Sequence, residues 1–281
     1  MISELRPQHK LAVLLRVSGL ARSTFYYQQH PCRGKDAYAH EKSRIKALFH
    51  HHRGRYGYRR ITLALRREGC HLNHKTVRRL MREQQLASRL RHRKYQSYKG
   101  TYGRIAPDLL KRNFTADRPN QKWVTDVTEF NVGGKKLYLS PVLDLYNREI
   151  IAWNMEEHPG FNLVGKMLES ALGRLGNGDR PVLHSDQGWQ YQMAVYQGKL
   201  RQHHLEPSMS RRGNCLDNAV MENFFGILKS ECWYPSEFTD IQQLKSALNE
   251  YIHYYNNERI KLNLNGLSPV QYRTQVLSAT K

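Results

Sequence analysis

Hydrophobic positions along the chain fall into two textures. Up to about residue 95 they recur at helical spacing. HEKSRIKALFHHH reads as a helix with Ile45, Leu48 and Phe49 on one face, RGRYGYRR as a turn, and ITLALRREG as a second helix stopped by Gly69. HLNHKTVRRLMREQQL follows, with Asn73 as N-cap and Val77, Leu80 and Met81 as its inward stripe. Upstream, residues 8–29 predict two short helices broken at Gly19, the second capped by Ser23 or Thr24. Their stripe is Leu11, Leu14, Leu15 and Leu20. That hairpin is compatible with a helix-turn-helix, and equally with an amphipathic pair that packs on another element.

From Gln121 the spacing changes to that of strands. QKWVTDVTEF is one strand, Asn131 to Gly134 (NVGG) a hairpin turn, KKLYLSPVLDLY a second strand, Asn147-Arg148 a tight turn and EIIAWNM a third. FNLVGKMLESALGRL is an amphipathic helix ended by Gly176 to Asp179, and PVLHSDQG is a short strand running into a polar loop. EPSMSRRGNCLDN reads as irregular. AVMENFFGILKSE is a helix capped by Asp217 or Asn218, and DIQQLKSALNEYIHYYNNERI another capped by Asp240. The order βββαβ(β)α…α is a mixed α/β sheet led by a three-strand antiparallel meander.

Charge divides the chain at nearly the same place. Of 281 residues, 45 are Lys or Arg and 24 Asp or Glu, a net of +21. Residues 1–112 hold 27 of the cations and 6 of the acids, which is the whole excess. A polyanion, by default nucleic acid, is the partner such segregation calls for. No apolar run reaches the roughly 18 residues of a membrane helix, and MISELRPQHK lacks the apolar core of a secretory signal. Cys32, Cys70, Cys215 and Cys232 show no CxxC spacing. The expectation is a cytoplasmic protein without a disulfide scaffold.

On the helix behind Asn73, Lys75, Arg78, Arg79 and Arg82 are left on the outer face, with Arg59 and Arg60 close by. A short turn joining two helices, the second basic, matches a helix-turn-helix reader of DNA; a merely solvated basic face is the alternative. The tail RLRHRKYQSYK suggests a strap along a phosphate backbone. His50, His51 and His52 are consecutive, and on a helix such residues point about 100° apart, which argues against a shared metal ion.

In the neutral part, Asp126 lies inside the first strand, where a carboxylate is costly unless paired or metal-bound. Asp186 ends the strand PVLHSD, where α/β sheets expose their sites. Glu222 is in the first turn of its helix and shares a face with Gly226 and Lys229, a face on which Gly226 leaves a gap for a nucleic-acid backbone. Two strands and a helix thus supply three carboxylates, a donor set for a pair of Mg²⁺ ions. Asp144 and Glu129 are rivals; Asp144, before a tight turn, reads as structural.

Asp186 and Glu222 have thirty-five residues between them. YGYRRI, NHKTVRRLM, WVTDVTEF, VLDLYNREIIAW, LHSDQGWQY, SMSRRGNCLDNAVMENFFGILKSE and YNNERIKLNLNGLSPVQY occur in order over about residues 40–273. This series resembles the OrfB transposase of two-frame bacterial insertion sequences (the third insertion-sequence family), a DDE type with a retroviral-integrase-like core. The resemblance implies an α/β RNase H-like core with helices on both faces of its sheet, preceded by an all-α helix-turn-helix region. It also implies cleavage and joining of transposon DNA ends with two Mg²⁺ (or Mn²⁺) ions at Asp126, Asp186 and Glu222. His184 and Ser185 then suit positioning Asp186 or a phosphate, Gln187 to Tyr191 suit a loop near the scissile strand, and Arg211, Arg212, Asn214 and Lys229 suit holding DNA. The implied partners are double-stranded DNA, both transposon ends and target, further copies of the chain on that DNA, and an upstream-frame OrfA product as partner or fusion.

The division expected is 1–38 N-terminal helical, 39–99 basic helix-turn-helix, 100–120 linker and 121–281 catalytic core with a C-terminal helix. Two readings remain beside it: a helix-turn-helix regulator with a non-catalytic second domain, and an RNase H-like nuclease that does not join.

Overall fold

The computed structural model describes residues 2–29, 36–88, 105–211 and 215–279. Three short helices come first: α1 (Ile2–Leu5), α2 (Leu11–Ser18) and α3 (Arg22–Gln29). Gly19 closes α2 in the left-handed conformation expected of a breaker. α3 starts at Arg22, so Ser23 and Thr24 lie inside its first turn rather than capping it. Of the four-leucine stripe only Leu15 is buried, and Phe25 of α3 is buried too.

The basic region is a three-helix unit of α4 (Ala39–His51), α5 (Tyr58–Arg67) and α6 (His74–Glu83). Asn73 caps α6 by accepting from the Lys75 N–H at 2.8 Å. Val77, Leu80 and Met81 pack inward on Ile45, Ile61 and Leu65. This inward face sets the outward one: Lys75, Arg78, Arg79 and Arg82 are exposed.

The sheet holds β1 (Lys122–Thr125), β2 (Thr128–Val132), β3 (Lys135–Asp144), β4 (Ile150–Glu156), β5 (Val182–Ser185) and β6 (Glu206–Met209). β3 lies between antiparallel β4 and the β1–β2 strand, and β5 and β6 extend the sheet parallel to β1. β1 and β2 keep one register against β3, Thr125 facing Val142 and Thr128 facing Leu139. They are the single strand read from QKWVTDVTEF, with pairing that lapses only at Asp126 and Val127. The register puts Asp126 opposite Pro141, which has no N–H to give; the Thr125 hydroxyl donates to the Pro141 carbonyl at 2.9 Å instead. At the β2–β3 turn Gly133 and Gly134 both have positive φ, 56° and 83°, the backbone a tight two-residue hairpin needs.

Helices α7 (Phe161–Leu172), α8 (Trp189–Gln192), α9 (Ala194–Gln202), α10 (Ala219–Leu228), α11 (Ile241–Asn257) and α12 (Pro269–Ala279) complete the chain. Alternation along the strands feeds two cores. Trp123, Val142 and Ile151 pack with α7 on one face, while Val124, Leu143 and Ile150 pack with α10 and α11 on the other. The meander, the parallel extension and helices on both faces are the RNase H-like arrangement. Two elements depart from the expected reading. β6 forms inside the stretch read as irregular, and α10 runs on into a π-helical turn, Lys229–Trp233.

The second core is continuous with that of the helix-turn-helix unit, and RGRYGYRR is the reason. Only Tyr58, Arg59 and Arg60 of this motif are helical. The Tyr56 hydroxyl donates to the Glu258 carbonyl at 2.9 Å and accepts from the Ile260 N–H at 2.8 Å. Arg60 donates to the Ile260 carbonyl, and Arg55 donates to the Glu231 carbonyl while lying over the rings of Tyr251 and Tyr254. Beneath them Arg259 and Glu231, 3% and 7% exposed, form a two-pronged ion pair. The stretch read as a linker also packs from residue 105 on: Leu109 N–H donates to Ser208 Oγ, Met209 N–H donates to the Pro107 carbonyl, and Leu110 is buried.

Tyr56→Phe keeps the ring but strips partners from two backbone groups at this junction. It is expected to cost about 1–3 kcal/mol in urea denaturation; an unchanged midpoint would show that the two units are not joined through this hydroxyl.

Candidate active site

The parallel pairing of β1 and β5 sets the site. Lys122 faces Val182, Trp123 faces Leu183 and Val124 faces His184. Two residues further on, the same register brings Asp126 beside Asp186, on strands spaced about 4.8 Å apart. Each Asp gives one oxygen to a backbone N–H, which fixes its carboxyl group: Asp126 accepts from Val127 at 2.7 Å and Asp186 from Gly188 at 2.8 Å. Gly188 is required there, because a Cβ would stand 2.9 Å from Asp186 Oδ1.

Glu222 reaches the same place from the first turn of α10. The helix start is held by an unexpected device. Neither residue proposed as its cap binds the helix end. The Asn218 side chain instead donates to the Thr125 carbonyl, next to Asp126, and Glu222 lies one turn further on the same side. Asp217 accepts from Arg112 at 2.9 Å and from Arg211 at both oxygens, which holds its carboxyl far below the usual carboxylate range.

Like charge meets like charge here. Burial pushes the Asp126 carboxyl well above its ordinary range, and the Asp186 and Glu222 carboxylates push it further; the Val127 N–H and the Lys229 ammonium only partly oppose this. Asp186 is also raised, by burial, against the Gly188 N–H. Opposing carboxylates with so little compensation form a site that favours cations. Hard oxygen donors of this kind suit Mg²⁺ or Mn²⁺.

The surroundings are rigid. His184, buried in β5, bonds Ser208 Oγ at 2.8 Å, Ser210 Oγ at 3.2 Å and the Asp217 carbonyl at 3.0 Å, tying β5 to β6 and to the approach to α10. Ser185 donates to the Asp186 carbonyl. Tyr191 lies buried behind the two Asp residues, its hydroxyl 3.4 Å from that of Thr125. Burial and both carboxylates push this phenol well up. Tyr191 ends the loop Gln187 to Tyr191 expected near the scissile strand, whereas nothing in the sequence marks Asn218 as more than a helix cap.

The basic residues sort differently from expectation. Lys75, Arg78 and Arg82 project into solvent. Arg79 does too, with Glu83 at 2.6 Å, and Arg59 is exposed over Tyr58. Arg60 is instead tied to Ile260 in the junction, so its cation serves the fold, whereas Arg211 pairs with Asp217 and stays exposed. Lys229 turns inward over the Phe130 ring, and burial pushes its amine down, against the pull of Glu129 and Asp126. Gly226 is buried, so the gap read on that helix face is filled by the protein itself. Arg212 and Asn214, and the strap RLRHRKYQSYK from residue 89 on, lie outside the described residues.

His51 and His52 do converge with Glu258, ligand atoms within 4.8 Å of one another, because α4 ends at His51 and the next residue leaves the helical path. The surroundings oppose a cation: burial first, then His51, Arg55 and Arg60, push the His52 imidazole down to about 4.

With folded-state pKa values above their unfolded ones, Asp126 and Asp186 cost stability at high pH; the cost shrinks as pH falls below the folded values and is gone below the unfolded ones. Asp126→Asn in chelator is therefore expected to raise Tm at pH 8, with the gain shrinking toward pH 5. A lowered Tm at pH 8 would contradict this.

Two family models described as Integrase core domain match residues 116–215 and 222–277, and one described as HTH-like domain matches 37–95. InsK of the insertion sequence element IS150 from Escherichia coli is 54% identical over 98% of this chain and 97% of its own length. A transposase-like protein of Haemophilus influenzae is 52% identical, covering 75% of this chain and 98% of that protein. The transposase InsF for insertion sequence IS3A, from Escherichia coli, is 34% identical over 99% of this chain and 98% of itself. Among solved structures, the HTLV-2 integrase catalytic core domain in complex with magnesium aligns with a TM-score of 0.45 and 18% identity, over 56% of this chain and 98% of that one.

Proposed function

The chain belongs to the IS3-family insertion-sequence transposases, and we propose that Asp126, Asp186 and Glu222 are the carboxylates with which it cleaves and joins the ends of its element. The register that sets Asp126 beside Asp186, with α10 anchored to Thr125 above them, carries this reading.

The enzyme works by phosphoryl transfer, and divalent metal ions are general to the integrase core. The donor set here fits them, since ionised carboxylates only accept, and two of these are raised, first by burial and for Asp126 also by the neighbouring carboxylates. Two Mg²⁺ or Mn²⁺ ions, held by Asp126, Asp186 and Glu222, would activate the attacking oxygen and stabilise the leaving one. The protein's own groups supply position. Val127 and Gly188 N–H groups set the planes of the two Asp carboxyls. Asn218 sets the height of Glu222, and Lys229 offsets part of the negative charge from the core side. The nucleophile is external: water for cleavage, a DNA 3′-hydroxyl for joining. In each step one P–O bond forms as the bond to the departing 3′-oxygen breaks, and that oxygen takes up a proton. The outer face of α6 is the proposed contact with phosphates, through Lys75, Arg78, Arg79 and Arg82, with Arg59 at its edge.

The proposed partners are double-stranded transposon ends and target, a second copy of the chain holding the other end, and the upstream-frame product as companion or fusion. No helix among the described residues is long and apolar enough to cross a membrane. The proposed place of work is the cytoplasm, on the nucleoid.

A strand-transfer assay on labelled duplexes carrying the element's own ends tests the chemistry. Asp126→Asn, Asp186→Asn and Glu222→Gln are each expected to lose joined products while DNA affinity holds; full activity in any one removes that residue from the site. Nicks without joined products from the native chain would leave a nuclease. Arg78→Ala is expected to lower the salt slope of binding by about one, and an unchanged slope would take α6 off the backbone.

A further inference from the structure

Four tryptophans stand in the chain, and three have structural places. Trp123 is fully buried, Trp153 donates its indole N–H to Asn249, and Trp233 stacks on Phe238. Trp189 is 42% exposed. A single exposed apolar side chain is ordinary; the setting of this one is not. It is the first residue of α8, a single turn whose other three members, Gln190, Tyr191 and Gln192, are 8%, 1% and 5% exposed. The loop that carries it is fastened along its length. Gln187 donates to the Ser210 carbonyl, Gln190 to the Pro159 carbonyl and Gln192 to the Gln187 carbonyl. Gly188, just before the indole, donates its N–H to Asp186. A rigid turn therefore buries its polar residues and presents its largest apolar one to solvent, three residues from a carboxylate of the reacting centre.

We propose that Trp189 is a stacking platform for a nucleobase of the DNA end, holding one base out of the duplex beside the phosphate that reacts. Three residues of chain reach at most about 11 Å, and nucleotides along one strand are spaced about 3.4 Å apart, so the base lies within about three nucleotides of that phosphate. An indole face accepts any base, which suits an enzyme that must open an end before it can bend the strand into the carboxylates. Because Asp186 fixes the Gly188 N–H, the same backbone contact sets both the carboxyl and the platform. The proposal rests on the reading of Asp126, Asp186 and Glu222 as the reacting centre.

Two measurements test it. In an Asp126→Asn background, which removes chemistry from the readout, 2-aminopurine is placed in turn at each of the three positions on either side of the cleavage point, and its fluorescence is followed as the duplex binds. One position is expected to be quenched, and the quench to be lost with Trp189→Ala and largely kept with Trp189→Phe. Equal signals at every position with and without Trp189 would overturn the proposal, whatever the carboxylates do. In the otherwise native chain, Trp189→Ala is expected to slow cleavage of a fully paired end by roughly tenfold or more, the worth of one base–aromatic stack, and to regain the native rate on an end whose flanking pairs are mismatched. Equal slowing on both ends would overturn the platform and leave a loop defect. Activity surviving in Asp126→Asn would instead fault the reacting centre, a separate failure.

Discussion

Two carboxylates of like sign stand side by side on neighbouring parallel strands, and much of the catalytic half is arranged to hold them there. β1 and β5 pair in a register that leaves no freedom in which residues meet, Asp126 and Asp186. Pro141 opposite Asp126 removes the N–H that would have paired that position. Gly188 leaves room for the Asp186 carboxyl to accept from the backbone. Asn218 ties the start of α10 to Thr125, and His184 ties β5 to the segment leading into that helix. None of these contacts neutralises the two charges. The fold supplies the rigidity and leaves two like charges with little compensation, an arrangement that favours cations.

A second constraint joins the basic unit to the catalytic one. RGRYGYRR looked like a cationic turn, and Arg59 faces out as such a turn would. Tyr56 and Arg60 instead grip the backbone of residues 258–260, over the buried Arg259–Glu231 pair. The outward face of α6 is therefore held by these contacts in one placement relative to the carboxylates. Burying an ion pair under such a contact is a weak source of stability.

Much of this was legible in the sequence because periodicity reports burial. Val77, Leu80 and Met81 announced the inward face of α6, and hence the outward cations. Asp126 stood out because an acid between Val124 and Val127 contradicts a strand. Asp186 stood out because it follows an apolar strand directly. What stayed hidden depends on partners remote in the chain. Arg60 and Lys229 have the composition of DNA contacts, and only their neighbours, Ile260 and Phe130, show that they turn inward. Asn218 had the right type and place for a helix cap, and its real partner is a strand carbonyl nearly a hundred residues away. His51 and His52 converge because a helix ends between them, a boundary that spacing alone does not fix.

The central claim is that three carboxylates from β1, β5 and α10 form one metal-holding centre. The most direct test is a calorimetric titration of the full chain, bound to an end duplex, with Mn²⁺. It is compared with the chain carrying Asp126→Asn, Asp186→Asn and Glu222→Gln together. The account predicts two ions per chain in the native protein and loss of both in the neutralised one. The same stoichiometry and affinity in both proteins would contradict it.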